Sequence, residues 1–554
     1  MAYAPLRQTD WSGGATGKTT WVDSKHFQTS YNIKYDTKGL VTIQEKPTNW
    51  LGNAWEYRRQ IKFNNQEGGD VQHFPVLIKL EHLVNFEYSH AQPNGFDLRF
   101  TDSDGTTLLD YEIERWNQTG SSYIWVKVPT IDGSSDTDFI YMYYGNPTAE
   151  HLEHGGTVWD KNFVMVHHLA DQPKPGHNYT DSADTNNDGT FTDAAKLANT
   201  TQDGYVGKAL KFPGVGNEWV QIPNTSTTDF GTSTDFTMEG WVNMDADYNN
   251  ARIIEKRQAG VLAGYSLHYN SAGGFRILVD PIATIGFCIA DGTFDPQGTG
   301  WHYVVGVVYR RSTCTANDLK LYVDGKLSDY TASGAPSNSD ISTSASTNLY
   351  LGAFGGATPG TQYKGILDEV RLSNKARDDT WINATYRTIT GTMQSYGHEE
   401  LRDAYLISSV FDAGKGNRWG YLSYVADILS HTSVEVTARS AKDPTMAGAA
   451  DFKDCLSISN KKSILQSKCV FSGDRYLQYQ LTLKTDTIGK SPTFDSISIT
   501  DYLPQLAKPV VNGISTIQKG VSLSEQGDSL QNSPQTVPSP ASNPILNFFN
   551  ALFH

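Results

Sequence analysis

Short runs of alternating apolar and polar residues recur along most of the chain, and they predict strands rather than helices. The run from Tyr57 to Phe63 alternates, the stretch from Phe74 to Leu80 reads as a buried strand, and the runs from Tyr111 to Trp116, Ile140 to Asn146, Val434 to Arg439 and Arg475 to Leu483 continue the series. Lys364–Ser373 is the sharpest run. Strict alternation puts Ile366, Asp368, Val370 and Leu372 on one face, and Leu367, Glu369 and Arg371 on the other. An acid in line with three aliphatic residues is costly to bury unless it is paired or bound to a metal, so Asp368 is the residue to explain.

With 554 residues the chain is too long for one core, and about three to five units are expected. The punctuation divides it into an N-terminal arm at 1–50, a β-sandwich at 51–149, a larger unit at 156–390, a fourth β unit at 401–505 and a tail at 506–554. The reading is an all-β, multidomain string of antiparallel sandwiches with a disordered C-terminal tail. The arm is too short to fold alone, and Trp11 and Trp21 are expected to dock on the next domain. The tail is rich in Pro, Ser, Gln and Asn and reads as a flexible linker. It ends in an apolar peptide whose Ile545, Phe548, Phe549 and Leu552 fall at helical spacing, which makes residues 543–554 a candidate for self-assembly or anchoring.

Four phrases carry a family resemblance: Val206 to Phe212, Phe236 to Val242, Leu319 to Gly325, and the 364–373 strand. Together they resemble the laminin-G-like, concanavalin A-like jelly roll over about residues 160–390, in the family's order and spacing. The resemblance implies that the acid of the last strand helps hold a structural Ca²⁺. The loop from Asp181 to Gly189, dense in oxygen ligands, resembles that family's Asp-Ser-x-Gly-Asn loop with an insertion. Residues 51–149 resemble a bacterial domain-of-unknown-function family typical of surface proteins, which implies architecture and no chemistry. The unit at 401–505 resembles a discoidin-like sandwich.

Charge and cysteine content narrow the function classes. Lys+Arg is 45 against 60 Asp+Glu, a formal net charge of −15, and no basic stripe is present, so nucleic acid is excluded as a partner. Carboxylate excess suits Ca²⁺. The four cysteines fall into two couples, Cys288 with Cys314 and Cys455 with Cys469, one per unit. They fit disulfides and an oxidising compartment, or else four buried thiols. With no leader visible in this chain, the expected location is extracellular or at the cell surface.

Candidate chemistry is sparse. One Ca²⁺ held by Asp181 and Asp368 is the expected cofactor. Asp110, Glu112 and Glu114 stand on one face of a strand, the alternation that retaining glycanases of this fold use for their catalytic acids. Their order is not the glycanase order and they precede the jelly roll, so the strand more simply holds solvated or Arg-paired acids. His167 and His168 are adjacent and point to opposite faces. Tyr265, Tyr269, Trp301 and Tyr303, with His268 and Tyr309, fall in strands that could line a sugar-binding face, though alternation sends about half of them to the core. The expected function is non-catalytic binding of an extracellular glycan or a surface protein. The alternatives are a glycoside hydrolase and a subunit of a surface filament.

Overall fold

The computed structural model describes residues 6–17, 25–36, 39–44, 50–52, 54–170, 178–191, 201–215, 218–245, 250–258, 261–270, 272–282, 286–344, 346–355, 361–401, 403–414, 419–485 and 490–501. Trp21 and the whole 506–554 tail, including the 543–554 peptide, lie outside the described residues. The fold is all-β, as the alternation predicts: the described strands make six sheets, paired face to face into three sandwiches.

These sandwiches are nested. Leu6–Gln8 pairs antiparallel with Thr493–Asp501, with Leu6 opposite Ile499. His26–Tyr31 pairs with Ala404–Ser408. Trp11 is fully buried in the core of this C-terminal sandwich, edge-on to Phe494 at 5.7 Å. The arm therefore does not dock on the next domain as expected. It supplies strands to the last one, because short strands are stable only when a sheet edge accepts them. The second domain is likewise closed from afar: Tyr57–Phe63 is flanked by Phe139–Tyr144 and by Gln394–Leu401, a strand that follows the jelly roll.

The jelly roll lies innermost. Its first sheet includes Phe163–His167, Phe236–Met244, Trp301–Val308 and the closing strand Lys364–Ser373. Its second includes Arg252–Gln258, Val261–Asn270, Gly274–Asp280 and Cys288–Gly292. Between them Val242, Leu267, Ile277, Val304 and Leu367 form the core. The outer face of the first sheet is not free. Its Trp241, Tyr303 and Val305 share one apolar cluster with Phe74, Trp125 and Val126 of the second domain. The helix Asp379–Ile389 wedges beside this seam, capped where Asp378 accepts the Trp381 N–H at 2.9 Å and burying Ile382 and Ile389.

The closing strand departs from strict alternation. Its register against Phe236–Met244 shifts between Glu239, which faces Arg371, and Trp241, which faces Asp368. Glu369 sits at the extra position with φ of 50°, so the strand is bulged there. A bulge moves every later side chain to the other face. Leu367, Val370 and Leu372 consequently fill the core, and Asp368 faces outward beside Trp241. The single face expected to hold Ile366, Asp368, Val370 and Leu372 does not exist. Both cysteine couples are disulfides, Cys288–Cys314 and Cys455–Cys469.

Candidate functional site

Two polar clusters stand out, one sealed in the seam and one on the second sheet of the jelly roll. The seam cluster is built from the strand Tyr111–Arg115, whose odd positions carry Tyr111 into the second domain's core and whose even positions project Glu112 and Glu114 toward the jelly roll. Glu112 accepts the Ser182 hydroxyl at 2.6 Å and the Trp159 indole N–H at 2.9 Å. Glu114 accepts the Trp125 indole N–H at 2.9 Å. His168 stands between the domains: its Nδ1 is 2.6 Å from Glu369 Oε1 and 3.6 Å from Glu114 Oε2, and its Nε2 is 3.5 Å from Glu112. Arg371 pairs with Glu369 and lies over the rings of Trp125 and Trp159 at 4.6 and 4.8 Å. Glu239 accepts the Tyr303 hydroxyl at 2.6 Å, and Asp368 accepts the Val206 N–H at 2.8 Å.

Burial decides how these groups titrate. Burial, then the Glu369 charge, pushes the Glu114 carboxyl up to about 8. Burial opposes charge on His168, but Glu369, Glu114 and Glu112 outweigh it and hold the imidazole well above its usual range. For Glu112 and Glu369 burial is outweighed by His168, and both are lowered. Asp368 is raised well above the carboxylate range by burial and by Glu369 and Glu114.

Of the acids that only the alternative, hydrolase reading would use, Glu112 and Glu114 lie inside the seam, their side chains 14% and 2% exposed. Asp110 is half-buried at the strand's edge. Clefts of about 530 and 340 Å³ open along the seam, and neither is lined by Asp110, Glu112 or Glu114. Asp181 and Asp368 share no hydrogen-bond partner among the described residues. Asp181 accepts the Val166, Ala183 and Asn187 N–H groups and the Thr185 hydroxyl, at 2.7 to 3.0 Å, so the 181–189 loop is set by hydrogen bonds to its carboxylate. His167 turns the other way from His168, its Nε2 2.9 Å from the Asn187 carbonyl.

Of the proposed sugar platform, Tyr265 and Tyr269 lie in the jelly-roll core and Tyr303 in the seam cluster, so none is a surface ring. Tyr265 donates to the Thr228 carbonyl at 2.9 Å and Tyr269 to Asp295 at 3.1 Å. Trp301 is half-buried. Alternation on the same strand turns Ser266, His268 and Asn270 to the opposite, outer face.

On that outer face lies the second cluster, which sequence reasoning missed apart from His268. Glu255 is fully buried with Arg252 Nε 3.6 Å from one oxygen and Arg257 Nη1 3.7 Å from the other. Arg257 donates to Asp280 at 3.1 Å, Arg276 to Asp291 at 2.8 Å, and Asn270 to Asp291 at 2.8 Å. Phe354 lies beneath Arg252 and Arg257, and Phe287, 40% exposed, forms a rim beside Arg257. Arg252 Nε and Nη1, both Glu255 oxygens and Asp280 Oδ1 are buried with no hydrogen-bond partner among the described residues, the three side chains being held by the ion pairs just named. Burial raises Glu255; burial and the three arginines hold His268 well below the usual imidazole range. The available signal was the parity of polar residues on three consecutive strands, opposite in phase to Tyr265 and Tyr269.

No helix among the described residues is long and apolar enough to cross a membrane. No curated protein matches the sequence. Solved structures that match include the binding domain of Paraclostridial Mosquitocidal Protein 1, at 12% identity and TM-score 0.33 over 51% of this chain and 61% of that one. Domain 4 of AbnA, a GH43 extracellular arabinanase from Geobacillus stearothermophilus, in complex with arabinotriose, matches at 16% identity and TM-score 0.27 over 40% of this chain and 97% of that one. The botulinum neurotoxin serotype D binding domain matches at 12% identity and TM-score 0.29 over 51% and 68%. The chain thus spans about 61% of the length of the first of these structures. Residues 94–173 match the family model of a domain of unknown function (DUF2341), and residues 214–383, the body of the jelly roll, match that of the concanavalin A-like lectin/glucanases superfamily.

Proposed function

We propose that the protein is a non-catalytic, extracellular carbohydrate-binding protein whose ligand contacts the outer face of the second jelly-roll sheet. One observation carries this reading. The first sheet's outer face is covered by the second domain, whereas the second sheet carries Arg276 and Asp291, 26% and 28% exposed, and Phe287, 40% exposed, beside Arg252, whose Nε and Nη1 have no hydrogen-bond partner among the described residues. Buried polar atoms need partners, and a ligand rich in hydroxyls offers donor and acceptor at each group. The name of the superfamily matched at 214–383 supports the same class of ligand. Two disulfides support a location in an oxidising compartment. A reaction is not part of the proposal, because Glu112 and Glu114 are held inside the seam. Nor is calcium at Asp181, whose carboxylate already accepts four hydrogen bonds.

The test is a glycan array probed with the full chain and with Arg252→Ala, followed by calorimetry and an assay for released sugar on the best ligand. Retention by the wild type, weakened at least tenfold in the variant and without sugar release, supports the reading. No retained glycan, equal retention by both proteins, or released sugar overturns it.

A further inference from the structure

We propose that Glu114, His168 and Glu369 form a binding site for a divalent transition-metal ion that joins the second domain to the jelly roll. The inference does not depend on carbohydrate binding. One ligand atom from each residue lies within 4.8 Å of the other two. The three come from distant parts of the chain: the second domain's acid strand, the segment just after Phe163–His167, and the closing strand of the jelly roll. One imidazole with two carboxylates is a donor set for zinc, manganese, iron or cobalt. Calcium prefers six to eight oxygens and is disfavoured by the nitrogen.

Charge balance points the same way. Among the described residues, Glu112, Glu114, Glu239, Asp368 and Glu369 gather around two cationic side chains, His168 and Arg371. A sealed surplus of carboxylate needs either protons or a cation. Independently of that count, Glu114 Oε1, Asp368 Oδ1 and Glu239 Oε1 are buried with no hydrogen-bond partner among the described residues. The Glu114 side chain is 2% exposed and aimed at His168.

The surrounding groups are those that steady metal ligands. Arg371 holds the second oxygen of Glu369, and the Trp125 indole N–H holds Glu114. With Nδ1 given to the ion, the His168 Nε2 proton faces Glu112 at 3.5 Å, the carboxylate–histidine–metal arrangement that fixes tautomer and ring orientation. The ion takes the place of the hydrogen bond between His168 and Glu369. The bulge at Glu369 is what brings that carboxylate to the seam.

The experiment uses the full chain, stripped with chelator and dialysed. Metal content, calorimetric stoichiometry and Tm are measured with Zn²⁺, Mn²⁺, Co²⁺ and Ca²⁺ separately, and the visible spectrum is recorded with Co²⁺. The expected result is one equivalent of Zn²⁺ or Co²⁺, a rise in Tm of roughly 5–10 °C at a hundredfold excess over Kd, and a Co²⁺ spectrum of a nitrogen-containing site. Glu114→Gln keeps the indole contact and removes one ligand charge; it is expected to fold and to lose the rise. The proposal is overturned if the wild type binds none of the transition metals, if only Ca²⁺ raises Tm, or if Glu114→Gln binds and shifts as the wild type does. Should the variant fail to fold, the wild-type stoichiometry and Co²⁺ spectrum decide alone.

Discussion

Glu369 and His168 meet at 2.6 Å on the jelly-roll side of the seam, and the same bulge that places Glu369 there turns its neighbour Asp368 out of the jelly-roll core. Glu369 also pairs with Arg371, so one carboxylate compensates two buried cations. Removing one partner from a buried ion network leaves the others uncompensated, at about 3–5 kcal/mol. Glu369→Gln is therefore expected to lower stability by that amount. Urea denaturation of metal-stripped protein, followed by tryptophan fluorescence, checks it, since Trp125 and Trp159 border the cluster. A loss below about 1 kcal/mol would mean that the network is slack.

The nesting of the arm into the last sandwich makes a distant prediction. Trp11 is fully buried against Phe494 although the two are far apart in sequence. Trp11→Ala should cost about 3–5 kcal/mol, a typical price for emptying an aromatic site. The loss should show as proteolytic cleavage between residues 404 and 501, with the Cys288–Cys314 region still resistant. If cleavage appeared first within 54–144, the arm would belong to the second domain after all.

How much of this was legible in the sequence depends on the range of the interaction. Alternation is local, so strand after strand could be read, including the common face of Glu112 and Glu114 and the opposed directions of His167 and His168. The phase of Tyr265 and Tyr269 was readable too, but which phase met the core was not. A bulge is one residue out of step and leaves no composition signal, so the parity of Asp368 was misread. Pairings such as Leu6 with Ile499, or Phe63 with Gln394, are set by which edges remain open after the inner domain folds, and no local pattern encodes them.

The second-sheet cluster makes its own prediction about ligand binding and stability together. Arg252 lies 3.6 Å from the buried Glu255, and its Nε and Nη1 have no hydrogen-bond partner among the described residues, so its loss should reduce glycan affinity as well as fold stability. Arg252→Ala is expected to weaken binding at least tenfold, about 1.4 kcal/mol, and to lower Tm as well, because Glu255 loses one of its two cationic partners. Paired calorimetry and thermal melts separate the two. A large drop in Tm with unchanged affinity would make Arg252 a structural residue.

The last prediction concerns acid. His268 is buried, 2.9 Å from Ser266, and burial together with Arg252, Arg276 and Arg257 holds its folded-state pKa well below 6.5. Below pH 6.5 the unfolded chain takes up a proton that the folded chain refuses, so stability falls as pH drops, at up to about 1.4 kcal/mol per pH unit, until the folded pKa is reached. Above pH 6.5 this group contributes no slope. Glu255, facing the same arginines, has a raised pKa and opposes the trend, because its proton is favoured in the folded state. The difference between wild type and His268→Gln isolates the histidine, since Glu255 is common to both. Urea unfolding at steps from pH 5 to 7.5 should show the wild type losing stability relative to the variant below pH 6.5 and running parallel to it above. Parallel curves over the whole range would mean that His268 takes up its proton in the folded protein as readily as in the unfolded chain.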